Sequence, residues 1–223
     1  FSHAVESFTC KPFTQREAPL DPSKRPIYQG ANPYSDISCL EAIKLIGANL
    51  VTAVNDRDDD NLNDALAFSG ILAGIGFGNA GCHLPHAMSY AIAGLVQNYE
   101  PVGWPTNHSM VPHGTSVIVN APAVFRFTGP ACPDRHLKAA IAMGAEAADY
   151  NSQNPGDILA DRVIDMMKNT NMPSGISNLG YNLDDIDALT ERTWAQQRLL
   201  VNSPRLTEKS DIQNLFKEAM SYF

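Results

Sequence analysis

The sequence predicts an all-α fold, on three observations. Apolar residues recur at helical spacing in window after window, no segment of any length alternates apolar and polar residues as a half-buried strand would, and prolines and small polar residues fall where helices begin. The chain has 223 residues, 44% hydrophobic and 18% charged, enough for one globular domain over residues 1–223. We expect seven to nine helices and find no internal repeat.

In chain order, residues 1–9 read as the end of a helix, with Phe1, Val5 and Phe8 on one face. Residues 11–34, "KPFTQREAPLDPSKRPIYQGANPY", hold five prolines, four basic residues and three aromatics. That proline density forbids a continuous helix or a central strand, and predicts a long loop, functional or mobile. Ser35 or Asp36 then caps a helix whose apolar positions Ile37, Leu40, Ile43, Ile46 and Leu50 keep the 3.6-residue spacing. The acidic turn "NDRDDD" (residues 55–60) supplies the next cap, for a Gly/Ala/Ser-rich helix through Leu62, Leu66, Ile71, Leu72 and Ile75. Small residues let helices approach closely, so this helix is expected near the centre. Pro85 and Pro112 open helical turns. Residues 99–112 are irregular, and Pro122 kinks or ends the helix begun at Pro112. Pro133 opens "PDRHLKAAIAMGAEAA". Residues 156–169 are amphipathic through Ile158, Leu159, Val163 and Met166. Two more helices follow, capped by Asp184 and Thr207, the last with Ile212, Leu215, Phe216 and Met220 on one face.

The net charge of −8 and the lack of a basic cluster argue against nucleic acid as a partner. The longest apolar stretches are broken by Gly and Ser and are expected to be too short to span a membrane. The four cysteines (Cys10, Cys39, Cys82, Cys132) form no C-x-x-C pair and read as buried free thiols of a reducing compartment. The chain opens on "FSHAVESF" with no Met, and we expect an upstream part. No G-x-G-x-x-G is present, and "GILAGIGFGNAG" reads as a small-residue helix because no strand precedes it.

There are six histidines: His3, His83, His86, His108, His113 and His136. In "GCHLPHAMSYAIAG", His83 and His86 share a helix face at i, i+3, with Tyr90 one turn further on. His113 sits at the first turn after Pro112. His108 and His136 have polar or charged neighbours and read as surface residues. Histidines from three helices suit a catalytic divalent metal, which wants three or four N/O ligands and one open position. Spacing alone is a weak signal, because a histidine on an apolar helix face is more often satisfied within the core.

Longer segments add a family resemblance. "FSHAVESF" resembles the D-x-x-x-H-A-x-E motif of the iron-containing (group III) alcohol dehydrogenases. "GFGNAGCHLPHAMSYAIAG" and "MVPHGTSVIVNAPAVFRFTG" resemble that family's two metal-histidine segments. "RPIYQGANPYSD", "GIGFGNAGCHLPHA" and "VPHGTSVIVNAPAVFRFT" are similar to the family's transhydrogenase branch. The resemblance runs through nearly the whole chain.

It implies the helical C-terminal metal-binding half of a dehydroquinate synthase-like fold. An N-terminal α/β domain, outside this chain, would bind most of NAD(H). It implies His3, His86 and His113 as ligands of Fe2+ or Zn2+. A fourth ligand, an aspartate four residues before His3, would lie upstream of Phe1. Tyr90 stands where many relatives have a second histidine, and it and His83 are the candidate catalytic residues on the substrate side. For His83, core packing or support of a ligand is the competing role. The resemblance further implies hydride transfer through bound nicotinamide from 4-hydroxybutyrate to 2-oxoglutarate, in mitochondria. Arg16 and Arg25 of the 11–34 loop are candidates for binding the substrate carboxylates, against a plain solvated loop. Partners are then small hydroxy and oxo acids and the upstream domain; homo-oligomerisation is compatible with the sequence and not specified by it. Two alternatives stay open: an NAD(P)-dependent alcohol dehydrogenase that releases its nucleotide, and a non-catalytic helical fragment or assembly module.

Overall fold

The computed structural model describes residues 1–56, 59–105, 107–146 and 154–223. Among them run eleven α-helices: α1 (Ser2–Thr9), α2 (Pro33–Asn55), α3 (Asp60–Ala80), α4 (Leu84–Gly94), α5 (His113–Ile118), α6 (Ala121–Thr128), α7 (Pro133–Ala142), α8 (Pro155–Asn169), α9 (Ile186–Trp194), α10 (Gln197–Leu200) and α11 (Lys209–Glu218). The all-α expectation holds. The count exceeds seven to nine because α5 and α10 are single short turns. A lone parallel bridge between Pro12 and Ala31 is the nearest thing to a strand.

The long helices α2 and α3 pack side by side and α1 lies across both. A second group, α6, α7 and α8, packs together, and α4 joins the halves by touching α5, α6, α9 and α10. One contiguous apolar core runs through the fold, with Phe8, Phe125 and Phe216 among its largest buried side chains. Each such ring contributes roughly 1.5–3 kcal/mol by leaving water.

Several starts differ from the sequence expectation, for local reasons. α2 begins earlier, because Asn32 accepts the amides of Tyr34 and Ser35 and Pro33 fits the first turn. Pro122 neither kinks nor ends α5; it sits in the first turn of α6, after α5 has closed at Ile118. Asn182, not Asp184, caps the turn before α9, and Glu208 with Asp211, not Thr207, forms the box that starts α11. Asp59 caps α3 as the acidic turn predicts, while Arg57 and Asp58 lie outside the described residues. α7 closes at Ala142, and the expected continuation over residues 147–148 likewise lies outside them.

By length and composition α2 is apolar enough to cross a membrane, with a window of mean hydropathy 1.6, which corrects the expectation that no stretch is. Core helices of globular folds pass the same test, and α2 packs against α1, α3 and α7.

The turn from α3 into α4 positions the site. Gly81 takes φ +86°, and a Cβ there would stand 2.5 Å from the Tyr28 ring, so glycine is required twice over. The 11–34 loop holds this turn from outside. The amides of Gln29 and Gly30 donate to the carbonyls of Asn79 and Ala80, at 2.8 and 3.1 Å. Asn202 donates to the carbonyls of Ala80 (3.2 Å) and Cys82 (3.0 Å). Ser7 ties α1 to the same turn through the Gly81 carbonyl, 2.9 Å away.

Candidate metal centre

Three imidazoles from three helices converge. His3 comes from α1, His86 from the first turn of α4 and His113 from the first residue of α5. Ring centroids are 4.6 Å apart for His3–His86, 5.2 Å for His86–His113 and 6.4 Å for His3–His113. Phe77 stacks on the outer face of His3 at 4.1 Å and fixes its plane. The rings line one end of a cavity of about 550 Å³ whose other walls include Trp104, Val117, Ile118, Met166 and Met167.

His86 is oriented by a residue that the sequence reading left unused. Glu6 is fully buried, one turn after His3 on α1. Its Oε1 lies 2.6 Å from His86 Nδ1, and its Oε2 accepts the backbone amides of His83 (3.0 Å) and His86 (3.3 Å). Burial alone would raise the Glu6 carboxyl pKa. The charge and hydrogen bond of His86, with help from His83, outweigh burial and lower it. An ionised carboxylate only accepts, so Nδ1 of His86 carries a proton, and whenever the ring is neutral its lone pair is on Nε2. That Nε2 is buried and has no hydrogen-bond partner. An orphaned imidazole nitrogen with two further imidazoles beside it offers donors of the type a divalent cation takes.

The other two rings are kept neutral. Burial, then the charge on His86, lowers His3 to about 4. Burial first and His86 second also lower His113, which is exposed at the mouth. Neutral imidazoles are the ligating form near pH 7. The donor atoms that lie within 4.8 Å of one another are those of His3, Cys82 and His86; His113 stands outside that group, beside it. Burial, with the Glu6 charge added, pushes the Cys82 thiol far above its usual range, so the imidazoles are the readier donors.

The remaining candidates separate. His83 is fully buried; its Nε2 faces the Thr9 hydroxyl at 3.2 Å and it does not line the cavity. Tyr90 is 42% exposed, one turn beyond His86, with its ring 6.4 Å from His113. Its hydroxyl accepts a hydrogen bond from Arg198, a residue no sequence signal marked, at 3.1 Å. Arg16 and Arg25 are not brought to the histidines. Arg16 donates to Asn202 and lines a different cavity, of about 440 Å³, with Lys11, Lys24 and Trp194. Arg25 is exposed and donates to the Pro19 carbonyl at 3.3 Å. His136, expected at the surface, is buried. Its Nδ1 meets the Cys132 carbonyl at 3.0 Å and its Nε2 the Thr128 hydroxyl at 2.9 Å. His108 is exposed, as expected. All four cysteines are free, three of them buried and Cys132 partly so.

Residues 27–220 match the model of the Fe-containing alcohol dehydrogenase family, C-terminal part. A probable hydroxyacid-oxoacid transhydrogenase, mitochondrial, from Dictyostelium discoideum is 40% identical over 99% of this chain and 41% of its own length. A hydroxyacid-oxoacid transhydrogenase, mitochondrial, from Rattus norvegicus is 40% identical over 99% of this chain and 48% of its own. The chain thus spans about half the length of the curated relatives it matches. Among solved structures, a 1,3-propanediol oxidoreductase superposes with a TM-score of 0.79 at 24% identity, over 98% of this chain and 49% of that one. The iron-containing alcohol dehydrogenase of Thermococcus thioreducens gives 0.72 at 22%, over 98% and 48%. The match through most of its length, on a helical fold shared with these enzymes, shows that the chain belongs to the iron-containing alcohol dehydrogenase family.

Proposed function

We propose that this chain is the metal- and substrate-binding half of a hydroxyacid-oxoacid transhydrogenase that works in mitochondria. The observation that carries the reading is the convergence of His3, His86 and His113, with His86 Nε2 buried and unpartnered. The names of the relatives supply the reaction class and the compartment. The donor is 4-hydroxybutyrate and the acceptor 2-oxoglutarate, giving succinate semialdehyde and 2-hydroxyglutarate.

His3, His86 and His113 would hold a divalent cation, Fe2+ or Zn2+, with an upstream aspartate as fourth ligand. When bound, the cation supplies Lewis acidity to a hydroxyl oxygen, and a nicotinamide held mainly by an N-terminal α/β domain supplies the hydride carrier. The chain's own residues do the positioning. Glu6 keeps the proton on His86 Nδ1, so that Nε2 stays available. Phe77 holds the His3 plane. Val117, Ile118, Met166 and Met167 make an apolar wall that keeps water from the reacting carbon and strengthens charge interactions inside. Tyr90 stands at the open side of His113, where the substrate tail would lie. His83 supports the turn that presents His86.

The test is an assay of the full-length protein with 4-hydroxybutyrate and 2-oxoglutarate and no added nucleotide, with metal content measured in parallel. The reading expects 2-hydroxyglutarate to form and about one metal per chain. Turnover only with free NAD+ would assign an ordinary alcohol dehydrogenase. Absence of both metal and turnover would leave a non-catalytic helical module.

A further inference from the structure

We propose that Arg198, held by Tyr90, is the anchor for the substrate's carboxylate and so selects hydroxy acids over neutral alcohols. The proposal rests on the hydride-transfer reading above.

Four observations meet at this side chain. Its guanidinium Nη2 donates to Tyr90 Oη at 3.1 Å, and its central carbon lies 5.6 Å from the Tyr90 ring centroid. The Tyr90 ring stands 6.4 Å from His113, so the tyrosine links the cation to the edge of the histidine cluster, outside the lining of the cavity itself. α10 is seated by Leu199 and Leu200, the two residues after Arg198, which are 3% and 7% exposed, and it packs on α4. None of the ion pairs among the described residues includes Arg198.

Arg198 is exposed and makes no ion pair among the described residues, as is true of Arg192; what sets it apart is the Tyr90 hydroxyl that holds it. The tyrosine hydroxyl takes one of its five donors and fixes the plane, while the rest of the fork is free to take a carboxylate through two parallel bonds. α4 is buried from Leu84 to Ser89 and opens at Tyr90, Ala93 and Gly94, so one helix carries His86 at the enclosed end and the tyrosine at the open end. A short hydroxy acid fits that polarity, with its hydroxyl among the imidazoles and its carboxylate on Arg198. The two arginines of the 11–34 loop cannot take this role from where they stand. Arg16 faces a separate cavity, and Arg25 sits on its own loop.

Arg192 is the control. It approaches α4 one turn further along, near Gly94, and it too belongs to no ion pair among the described residues. It carries the same charge without the tyrosine.

The experiment measures kcat and KM of the full-length protein for 4-hydroxybutyrate and for 1-butanol in Arg198→Ala, Arg198→Lys, Tyr90→Phe and Arg192→Ala. Arg198→Ala is expected to raise KM for the acid by roughly 10–100-fold, with a smaller change in kcat, and to cut the acid-over-alcohol ratio of kcat/KM by a similar factor. Arg198→Lys should recover part of the loss, and Tyr90→Phe should cost a few-fold. Equal losses on acid and alcohol, or an Arg192→Ala variant as impaired as Arg198→Ala, would overturn the proposal. If the parent protein turns over neither substrate, the hydride-transfer reading fails separately. Calorimetric binding of 4-hydroxybutyrate then decides: about tenfold weaker binding to Arg198→Ala supports the anchor, and equal affinity removes it.

Discussion

His86 and His136 are both buried histidines on the inner face of a helix, and their hydrogen bonding differs. His136, on α7, has both nitrogens served. Nδ1 lies 3.0 Å from the Cys132 carbonyl and Nε2 2.9 Å from the Thr128 hydroxyl, so each nitrogen has a polar partner. His86, on α4, has Nδ1 served by Glu6 and Nε2 served by nothing among the described residues. Burying an unpartnered imidazole nitrogen costs of order 1–3 kcal/mol; His83 Nδ1 is another such atom, and what sets His86 Nε2 apart is the pair of imidazoles beside it. The difference teaches that burial alone does not mark a functional histidine; an unmet hydrogen-bonding valence beside other ligating groups does.

The comparison breaks most visibly under alanine. His86→Ala should lose the bound metal and lower turnover by more than the roughly 10–100-fold typical of outer-sphere partners, read by elemental analysis and steady-state rates. His136→Ala should keep the metal and instead lose about 2–4 kcal/mol of stability in urea unfolding, since it empties a packed site and strands two polar partners. Swapped outcomes would invert the assignment.

Glu6→Gln sharpens it. Glutamine keeps an oxygen for the amides of His83 and His86, but its NH2 can face Nδ1, which would move the imidazole proton to Nε2. Metal affinity should weaken roughly 10–100-fold. Nitrogen-15 shifts of His86 in metal-free protein should show the tautomer change, and an unchanged tautomer would count against Glu6 as its cause.

A titration separates the structural histidine further. Burial lowers His136 to about 4, while its unfolded value is ordinary. The unfolded state therefore binds the extra proton first as pH falls. The stabilisation is full above about pH 6.5, declines between about 6.5 and 4, and levels off below, at a total near 3 kcal/mol. Urea unfolding across that range, with His136→Phe as reference, should show the slope in the parent and a shallower one in the variant. The smallest effect belongs to Arg25→Ala. It is exposed and holds only the Pro19 carbonyl, so stability should stay within about 0.5 kcal/mol.

The helical class was legible because apolar spacing is local, and Phe8, Ile43, Leu159 and Phe216 all fall inside as their periodicity predicts. The proposed metal histidines were not legible from spacing. They come from α1, α4 and α5, and only the family segments singled them out together. His136 was misjudged because its chain neighbours Asp134, Arg135 and Lys138 are charged, although Ala139, Ala140 and Met143 at helical spacing marked the same face as buried. Glu6 was visible in "HAVES" but needed three dimensions to meet His86. Arg198 lies in "AQQRLL", which carries no motif, and its meaning comes from a tertiary contact 108 residues away in sequence. Arg16 had the right chemistry, but Asn202 draws it to the outside of the α3–α4 turn.

The most direct test of the account is anomalous scattering at the metal edge from crystals of the full-length protein. A single peak among His3, His86 and His113, with His86 bound through Nε2 and Nδ1 still on Glu6, is the predicted result. A metal held by Cys82 or His83 with His86 Nε2 free would contradict it.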